Sequence, residues 1–240
     1  KCWNLIERFS EDIDIGLHAA AFGESYSENP TGNFITRLKR KGCEYTSTVL
    51  LNQLKESFAQ IGIPIEKLKI YFDEVKPDVP DKDPQSIFVE YPSLFDPNPY
   101  LADKVKIEVG VRSGKEPKTS VQITSLVSTA FENNILEEDP VQVTVVNAQR
   151  TFLEKIFLLH EEFLKPEPTS IRTERMSRHL YDLYMLSKTD ICTEALNDES
   201  LYEVIINHRR SYNQIEKISY DKHTKSEISY IPPAQVMFAY

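Results

Sequence analysis

The feature that most constrains the fold is an acidic segment near the start of the chain, residues 8–15, which reads Arg-Phe-Ser-Glu-Asp-Ile-Asp-Ile. In a β-strand, successive side chains point to opposite faces. Ile13 and Ile15 would then face a core, and Asp12 and Asp14 would project together from the other face. Because Asp is unfavourable inside strands, two in one short strand require a reason.

Two interpretations of this segment remain open from the residues alone. The first is a Mg²⁺ site for nucleotide chemistry, because two neighbouring carboxylates suit a cation that takes oxygen ligands and is usually completed by substrate phosphates. The second is a half-buried edge strand whose acidic face is simply solvated. An isolated Asp-x-Asp pair does not decide between them, since so short a pattern is common.

Composition excludes several classes of protein. The 240 residues carry a net charge of −9 at pH 7, so any contact with nucleic acid has to come from a local basic patch. The three cysteines form no Cys-x-x-Cys pair, which argues against a zinc ribbon or a disulfide framework and favours a reducing cytosol. No apolar run approaches the length of a membrane span. Neither a G-x-G-x-x-G motif nor a Walker A loop is present, which excludes dinucleotide-binding and P-loop folds.

The first part of the chain is predicted to mix one long helix with several strands. Residues 34–61 are predicted to be helical, interrupted near Gly42, with an apolar stripe at Leu50, Leu51, Leu54 and Phe58. They include the most basic run, residues 37–41. That run is interpreted as a solvated helix face, with phosphate contact as the alternative. Because prolines surround residues 87–90, this piece is expected to be an edge strand at most. Further strands are predicted at residues 67–75, 104–112, 121–123 and 141–146.

From residue 149 onward the pattern becomes helical. Residues 151–154, Thr-Phe-Leu-Glu, have the spacing of a capping box that begins a helix ending near residue 164. The apolar stripe of this helix is predicted at Phe152, Ile156, Leu159 and Phe163. A second helix, residues 174–187, brings four polar side chains to one face at three- and four-residue spacings: Arg175, Arg178, His179 and Asp182. A third is predicted at residues 199–212, followed by a tail of strand or loop. The predicted organisation is an α/β core over residues 1–147 and a mainly helical region over residues 148–240.

Three segments match the pattern of one protein family in order and spacing. Residues 5–14 read L-I-E-R-F-S-E-D-I-D, beside the family's R-F-S-E-D-I-D-L. Residues 150–155, R-T-F-L-E-K, and the following Leu-His at 159–160 are similar to R-T-F-W-E-K…L-H. Residues 178–183, R-H-L-Y-D-L, are close to R-H-Y-Y-D-L. On these motifs the chain resembles the AbiEii/AbiGii toxin-type nucleotidyltransferases of bacterial abortive-infection and toxin–antitoxin systems, over nearly its whole length.

The sequence departs from the family pattern at its ends and at two positions within. The family has a Gly-Gly-Ser/Thr segment, on the turn that cradles the nucleotide phosphates, just upstream of the position matching Lys1, and it usually continues with more helix past Tyr240. We therefore expect both ends of the natural chain to extend further, with a truncated and inactive relative as the alternative. Leu153 and Leu180 replace the family's Trp and Tyr and conserve apolar packing.

The resemblance implies an α+β fold, in which a polymerase-β-like nucleotidyltransferase mixed sheet is followed by a mainly helical C-terminal region. It implies a cytoplasmic toxin that depends on Mg²⁺, or Mn²⁺, and moves a nucleotide from an NTP to an acceptor. RNA, and tRNA in particular, is the expected acceptor, and a cognate antitoxin protein is the expected further partner.

The resemblance also assigns roles to the acidic residues of the first half. Asp12 and Asp14 match the metal-binding carboxylates. Such folds often add a third carboxylate from a neighbouring strand, and Glu108 is the candidate. Apolar residues alternate along residues 104–112, so Glu108 lies on the face opposite Val105, Ile107, Val109 and Val111. The alternative for Glu108 is an ordinary ion pair with Lys106 or Arg112.

Four residues of the second half receive roles in the same way. Lys155 matches a triphosphate ligand, with a surface lysine as the alternative. Asp182 matches the family's functional aspartate, which would orient Lys155 or contact the nucleotide; its alternative is an i,i+4 pair with Arg178. Arg175 and Arg178 would bind phosphate, since guanidinium groups suit phosphate oxygens. Lys155 and Asp182 join Asp12 and Asp14 as the expected catalytic residues.

Three further expectations complete the sequence-based hypothesis. His160 and His179 are expected to be structural hydrogen-bonding groups, because phosphoryl transfer relies on metal ions and positioning rather than on a histidine base. A different Asp-x-Asp enzyme, such as a sugar-nucleotide glycosyltransferase, would lack the helices that carry Lys155 and Asp182. A degenerate, non-catalytic family member that acts through protein binding is the remaining alternative.

Overall fold

The computed structural model describes residues 2–8, 12–74, 82–93, 96, 102–114, 117–131, 138–215 and 218–240. Contacts divide the chain into two compact units. One, the sheet unit, comprises residues 9–115; the other, the helical unit, comprises residues 1–8 and 116–240. The sequence-based division at residue 147 remains a prediction about domains. Residues 9–11 of the predicted acidic strand lie outside the described residues.

A four-stranded mixed sheet forms the centre of the sheet unit. Its strands are β1 (Asp12–Gly16), β2 (Lys69–Phe72), β3 (Gln85–Glu90) and β4 (Lys104–Gly110). They lie in the order β1-β4-β3-β2, with β1 parallel to β4 and the other neighbours antiparallel. The alternating pattern of residues 104–112 thus correctly predicts a strand, and this strand is an interior one.

Strand β3 corrects one prediction. The sequence predicts an edge strand at most at residues 87–90, but β3 lies between β2 and β4 and pairs with both. Proline disfavours interior strands because it cannot donate to a neighbouring strand. Here Pro84 and Pro92 flank the strand and none lies within it, so each residue of β3 retains its N–H group.

One long helical stretch packs on the sheet. It consists of α1 (Gly32–Tyr45), a π-helical turn (Thr46–Leu50) and α2 (Leu51–Gln60). The Thr31 hydroxyl caps α1 by accepting a hydrogen bond from the Phe34 amide. The predicted apolar stripe is confirmed, since its side chains pack against the buried strand residues: Leu50, Leu51, Leu54 and Phe58.

The sequence predicts that the helix is interrupted near Gly42, and this prediction is wrong. The helix runs through Gly42 and changes its hydrogen bonding at the π-helical turn, within which the Thr48 hydroxyl donates to the Glu44 carbonyl at 2.6 Å. An ideal Cβ placed on Gly42 would lie 2.3 Å from Val111 Cγ1. Glycine is therefore required at this position because the helix approaches Val111 closely.

Gly42→Ala is expected to lower the free energy of unfolding by about 1–3 kcal/mol, because the added methyl group overpacks a filled contact. Urea denaturation at neutral pH measures the change. The matched control is Gly32→Ala at the start of α1, where no atom of the described residues lies within 4 Å of an added Cβ. The control should be neutral or slightly stabilising, and equal stabilities of the two variants would contradict the packing argument.

The helical unit contains one hairpin and a group of helices. The elements are β5 (Lys118–Ile123), α3 (Leu126–Ala130), β6 (Val141–Val146), α4 (Ala148–Phe163), α5 (Ser177–Ser187), α6 (Asp190–Asn197) and α7 (Glu199–His208), with a π-helical turn at Arg209–Asn213. Strands β5 and β6 pair antiparallel as a separate sheet. The sequence analysis predicts neither α3 nor α6. The described tail, residues 218–240, forms turns and short 3₁₀ helices, which agrees with the loop alternative.

Helix α4 supplies the centre of this unit's core. Its predicted stripe is confirmed, because Phe152, Ile156 and Leu159 are buried and Phe163 packs against the same cluster. That cluster also contains residues of α5, α6 and α7: Leu183, Leu186, Ala195, Leu201, Tyr202 and Ile205. In the described part of the chain, no helix combines the length and apolar character needed to cross a membrane.

The predicted capping box at residues 151–154 is wrong. Helix α4 begins at Ala148, after Asn147, so Thr151 already lies inside the helix. The residues ahead of it, which include Ala148 and Arg150, are good helix formers and extend the helix backward. Glu154 binds Arg150 at 3.0 Å and also pairs with Arg209. Its structural role is thus an ion pair rather than a cap.

A buried polar network surrounds Arg209. Its guanidinium pairs with the carboxylates of Glu154 and Glu161, and the Glu161 side chain is only 3% exposed. His223 Nε2 lies 3.2 Å from Glu161 Oε1. Burial works to raise the pKa of Glu161, but Arg209 and His223 outweigh it and hold that pKa below its ordinary value. Glu161 is therefore an ionised, fully paired residue within the core.

His160 joins α4 to the tail of the chain. Its Nδ1 accepts a hydrogen bond from the Ser229 amide at 3.1 Å, so Nε2 carries the proton and donates to the Lys222 carbonyl at 3.0 Å. Burial and the neighbouring His223 lower the pKa of His160, which keeps the ring neutral. The structure thus gives His160 the structural role that the sequence analysis expects.

Candidate functional site

Strand β1 holds Asp12 and Asp14 on one face of the mixed sheet. The parallel register with β4 places Lys106 opposite Asp12 and Glu108 opposite Asp14. Neighbouring strands are about 4.8 Å apart, so residues opposite each other share a face and lie side by side. The three predicted metal-binding carboxylates therefore project from one face of two adjacent strands.

The expectation that Ile13 and Ile15 are buried is wrong. Their side chains are 51% and 38% exposed. Strand β1 is the edge of the sheet, so it has a neighbouring strand on one side only, whereas Ile107 and Val109 on β4 are buried. The exposure of β1 agrees with the second interpretation, an edge strand whose acidic face is solvated. The metal interpretation depends instead on the strand register that aligns Asp14 with Glu108.

The carboxylates suit Mg²⁺ in their chemistry but are not gathered into a complete ligand set. Among the residues that the structure describes, no group of three His, Cys, Asp or Glu side chains is placed to hold a metal ion. Glu108 pairs with Lys106 on its own strand, as the alternative for this residue expects. Asp12 and Asp14 offer the oxygen ligands that Mg²⁺ prefers, and Glu108 can join them only by releasing Lys106.

The helical unit brings together a second group of residues around Asp182 of α5. The Asp182 side chain is completely buried. Its Oδ1 accepts a hydrogen bond from Arg8 Nε at 2.7 Å, and its Oδ2 accepts one from Arg8 Nη2 at 2.8 Å. The ammonium nitrogen of Lys155, from α4, lies 2.9 Å from Oδ2. Two helices and the N-terminal segment therefore meet at one carboxylate.

The charges of this cluster orient Lys155. Burial works to raise the pKa of Asp182, but Arg8 and Lys155 outweigh it, so the pKa lies below its ordinary value and the carboxylate is ionised. Two cations surround this one anion, which leaves an excess positive charge. The Lys155 side chain is 18% exposed, so Asp182 holds an ammonium group that remains within reach of a ligand.

Arg8 is the residue of this cluster that the sequence analysis missed. It stands in the first family motif, but its partner Asp182 lies 174 residues further along the chain. Spacing in the sequence carries no information about a contact so distant. The two motifs are thus joined by a bidentate ion pair, which is the strongest geometry between an arginine and a carboxylate.

The other candidates on α5 are placed differently. Arg178 and His179 are half-buried, and the Arg178 Nε and His179 Nδ1 atoms are buried without a hydrogen-bond partner among the described residues. The alternative role of Asp182 is an i,i+4 pair with Arg178. The structure instead pairs this carboxylate with Arg8 and Lys155, which neutralise it. Arg178 therefore adds a further cation beside the cluster.

Arg175 is not on the α5 face that the sequence predicts. Helix α5 begins at Ser177, and Arg175 precedes it as an exposed residue with φ 60°. This left-handed conformation is uncommon for residues other than glycine, and it turns the chain before the helix begins. The helical spacing between Arg175 and Arg178 consequently does not apply.

His179 is neutral at physiological pH. Burial, with Lys155 and Arg178 nearby, lowers its pKa from 6.5 to about 4. The ring therefore contributes no positive charge at pH 7 and cannot act there as a proton-loaded acid. The structural role expected for His179 stays a prediction, since its Nδ1 has no partner among the described residues.

Acid is expected to destabilise the protein through His179. His179 binds a proton below pH 6.5 in the unfolded state but only near pH 4 in the folded state. The stability that the neutral ring contributes is therefore complete above pH 6.5 and is lost as the pH falls toward 4. We expect a loss of about 2 kcal/mol, reduced for partial exposure. Urea unfolding at several pH values between 7.5 and 5 should show a weaker decline in His179→Gln. Identical declines would contradict the assignment.

The fold and these two groups define a class of protein. A mixed sheet with an Asp-x-Asp strand, combined with helices that carry a lysine–aspartate pair, is consistent with an α+β nucleotidyltransferase.

The family described as "Nucleotidyl transferase AbiEii toxin, Type IV TA system" matches residues 1–235, and the chain belongs to this family. The match confirms the resemblance seen in the motifs, and it spans the helices that a sugar-nucleotide glycosyltransferase would lack. Comparison with curated proteins and with solved structures gives no match.

Proposed function

We propose that this protein is a Mg²⁺-dependent nucleotidyltransferase toxin that moves a nucleotide from an NTP to an RNA acceptor, tRNA in particular. Its family gives the general class. The observation that carries the proposal is the register of β1 and β4, which aligns Asp14 with Glu108 on the face of Asp12. We further propose a cytoplasmic location and control by a cognate antitoxin.

In the sheet unit, Asp12 and Asp14 are proposed to hold the metal, with Glu108 as a third ligand. Mg²⁺, or Mn²⁺, would supply charge neutralisation at the NTP phosphates when bound. Lys106 lies opposite Asp12 and pairs with Glu108, so it reduces the repulsion among the carboxylates of the free protein. If the metal replaced Lys106 as the partner of Glu108, this carboxylate would become the third ligand.

In the helical unit, Lys155 is proposed to bind the triphosphate and to offset the charge that develops on the leaving pyrophosphate. Asp182 acts as a positioning residue, because it holds the ammonium group while it is itself held by Arg8. Arg178, whose Nε has no hydrogen-bond partner in the described part of the chain, and the exposed Arg175 are proposed as further phosphate contacts. Excess positive charge around one buried carboxylate supports this assignment.

The test is label transfer by the full-length protein. The protein is incubated with each labelled NTP, Mg²⁺ and total RNA, with a chelator as the control. Label that appears on RNA only without the chelator would support the transferase and identify both its nucleotide and its acceptor. NTP binding without any transfer to RNA would indicate another acceptor such as a protein. Absence of NTP binding would favour the degenerate, partner-binding alternative.

Lys155→Ala is expected to raise the KM for NTP at least tenfold, because the variant loses the cation that Asp182 presents to the triphosphate. A tenfold change corresponds to about 1.4 kcal/mol, which one charge-assisted contact can supply. Steady-state transfer at varied NTP concentration measures it. Lys188→Ala removes an exposed lysine beyond the end of α5 and serves as the control. An unchanged NTP dependence in Lys155→Ala would reject the role.

A further inference from the structure

A row of side chains crosses the mixed sheet on the face that carries Asp12. The strand registers align four residues, one from each strand: Asp12, Lys106, Phe88 and Tyr71. The rings of Tyr71 and Phe88 pack together, with centroids 5.4 Å apart and an angle of 30° between the ring planes. At about 4.8 Å per strand, the pair begins roughly 10 Å from the Asp12 position.

Lysines border the two rings. Lys69 Nζ lies 4.7 Å from the Tyr71 ring centroid, and Lys104 Nζ lies 4.7 Å from that of Phe88. In the sheet, Lys69 and Lys104 both stand opposite Glu90, so two cations share one carboxylate. Lys69 is 3.2 Å from Glu90 and its side chain is 72% exposed. The aromatic pair is thus bordered by two lysines that share the carboxylate of Glu90, to which the Tyr71 hydroxyl also donates a hydrogen bond at 2.6 Å.

We propose that this sheet face, defined by Tyr71, Phe88, Lys69 and Lys104, binds a single-stranded end of the RNA acceptor. Bases stack on Phe88 and Tyr71, and the phosphates between them contact the two lysines. Aromatic side chains on a sheet bind unpaired bases in this way, since every base offers a stacking face, while lysines follow the backbone. That the bound RNA is the acceptor rests on the proposed transferase function.

The direction of the row indicates what the surface does. A strand of RNA that lies over the rings along this row runs toward Asp12, whose carboxylate is proposed to hold the metal. The lysines are long and flexible, so their ammonium groups can leave the ring faces for phosphate oxygens when bases take their place. The surface would therefore position an acceptor end and exclude paired RNA, whose bases are already stacked.

The basic run at residues 37–41 is the rival surface for RNA. Two of its cations are already engaged, because Arg37 and Lys41 both pair with Glu24, at 3.2 and 2.8 Å. That run lies on α1, and among the described residues it contacts the single ring of Phe34, through Arg37, rather than an aromatic pair. The solvated-face interpretation of the run is thus supported, and charge without a stacking surface makes it the weaker candidate.

The test is equilibrium binding of a fluorescent single-stranded RNA of about twelve nucleotides, a length within the range that such surfaces hold. Full-length protein carrying Asp14→Ala is used without NTP, so that no transfer takes place. Adding Tyr71→Leu and Phe88→Leu should raise the Kd for this RNA at least tenfold and leave the already weak binding of duplex RNA unchanged. Circular dichroism and urea unfolding show whether each variant is folded.

The matched control is Tyr184→Leu in the same background. Tyr184 is an exposed ring on α5, in the helical unit, with Lys188 Nζ 4.0 Å from its centroid, so it has the same lysine-over-ring arrangement on a helix. Its Kd should not change. If the double leucine variant binds RNA as tightly as its parent, or if Tyr184→Leu weakens binding equally, the proposal is overturned.

A second pair of substitutions covers the case in which the leucine variant does not fold. Lys69→Gln with Lys104→Gln should reduce the slope of log Kd against log salt by about 1.4, the value for two lost contacts to single-stranded phosphates. An unchanged slope would overturn the lysine contacts, and loss of binding only on substitution of Arg37, Arg40 and Lys41 would assign RNA to the rival surface. RNA binding without any nucleotide transfer would refute the transferase alone.

Discussion

Asp14→Ala and Asp12→Ala are each expected to lower nucleotide transfer by about a thousandfold or more, since a metal ligand contributes several kcal/mol to phosphoryl transfer. Asp14 is exposed and Asp12 half-exposed on an edge strand, so neither carboxylate is needed for packing. Urea unfolding should accordingly be unchanged within about 0.5 kcal/mol. Label transfer to RNA under saturating NTP and Mg²⁺ measures the activity.

The control for these variants is Glu56→Ala, which removes an exposed carboxylate from α2 in the same unit. It should retain full transfer, which separates the loss of a ligand from the loss of one negative charge. Glu108→Ala tests the third ligand, and its effect should be smaller because this carboxylate first has to leave Lys106. Retained transfer in both aspartate variants would reject the metal assignment.

Arg209→Ala is expected to lower the free energy of unfolding by about 3–5 kcal/mol, because removing one partner of a buried ion pair leaves the other charge without compensation. Here the buried Glu161 loses its guanidinium and keeps His223 as a partner, whereas the partly exposed Glu154 keeps Arg150. Equilibrium urea denaturation at pH 7, followed by circular dichroism, measures the loss. If Arg209→Ala is too unstable to purify, its yield relative to wild type reports the same effect.

The neighbouring arginine provides a matched control. Arg210 pairs with Asp221 at 3.2 Å, but the Asp221 side chain is 90% exposed. An exposed pair contributes about 0–1 kcal/mol, so Arg210→Ala should be close to neutral. Equal losses in the two alanine variants would show that the network around Glu161 contributes no more than a surface pair.

The parts of the fold that follow from local pattern were predictable from the sequence. Strand β4 alternates strictly and α4 repeats its apolar residues with helical spacing, so each signals its buried face without knowledge of partners. The exposure of Ile13 was not predictable, because it depends on where β1 lies in the sheet. The interior position of β3 likewise depends on which strands pair with it, and the prolines on either side of it do not predict this.

The candidate site shows the same limit. Lys155 and Asp182 were identified only through the family resemblance, and the prediction that Asp182 orients Lys155 has a direct counterpart in their 2.9 Å contact. The contribution of Arg8 could not be deduced, since it arises from tertiary structure. The row of Tyr71 and Phe88 also emerges only when the register of three strands is known.

The attachment of the tail has a consequence for how the sequence can vary. His160 binds the Lys222 carbonyl and the Ser229 amide, and the Tyr202 hydroxyl donates to the His223 carbonyl. These partners are main-chain atoms, and nearly every amino acid supplies them. Selection is therefore expected to preserve His160 and Tyr202, together with Ile228, which packs against the core, while tolerating most other side chains at residues 224–231. Homologous tails would then keep the same path even after their sequences have diverged beyond recognition.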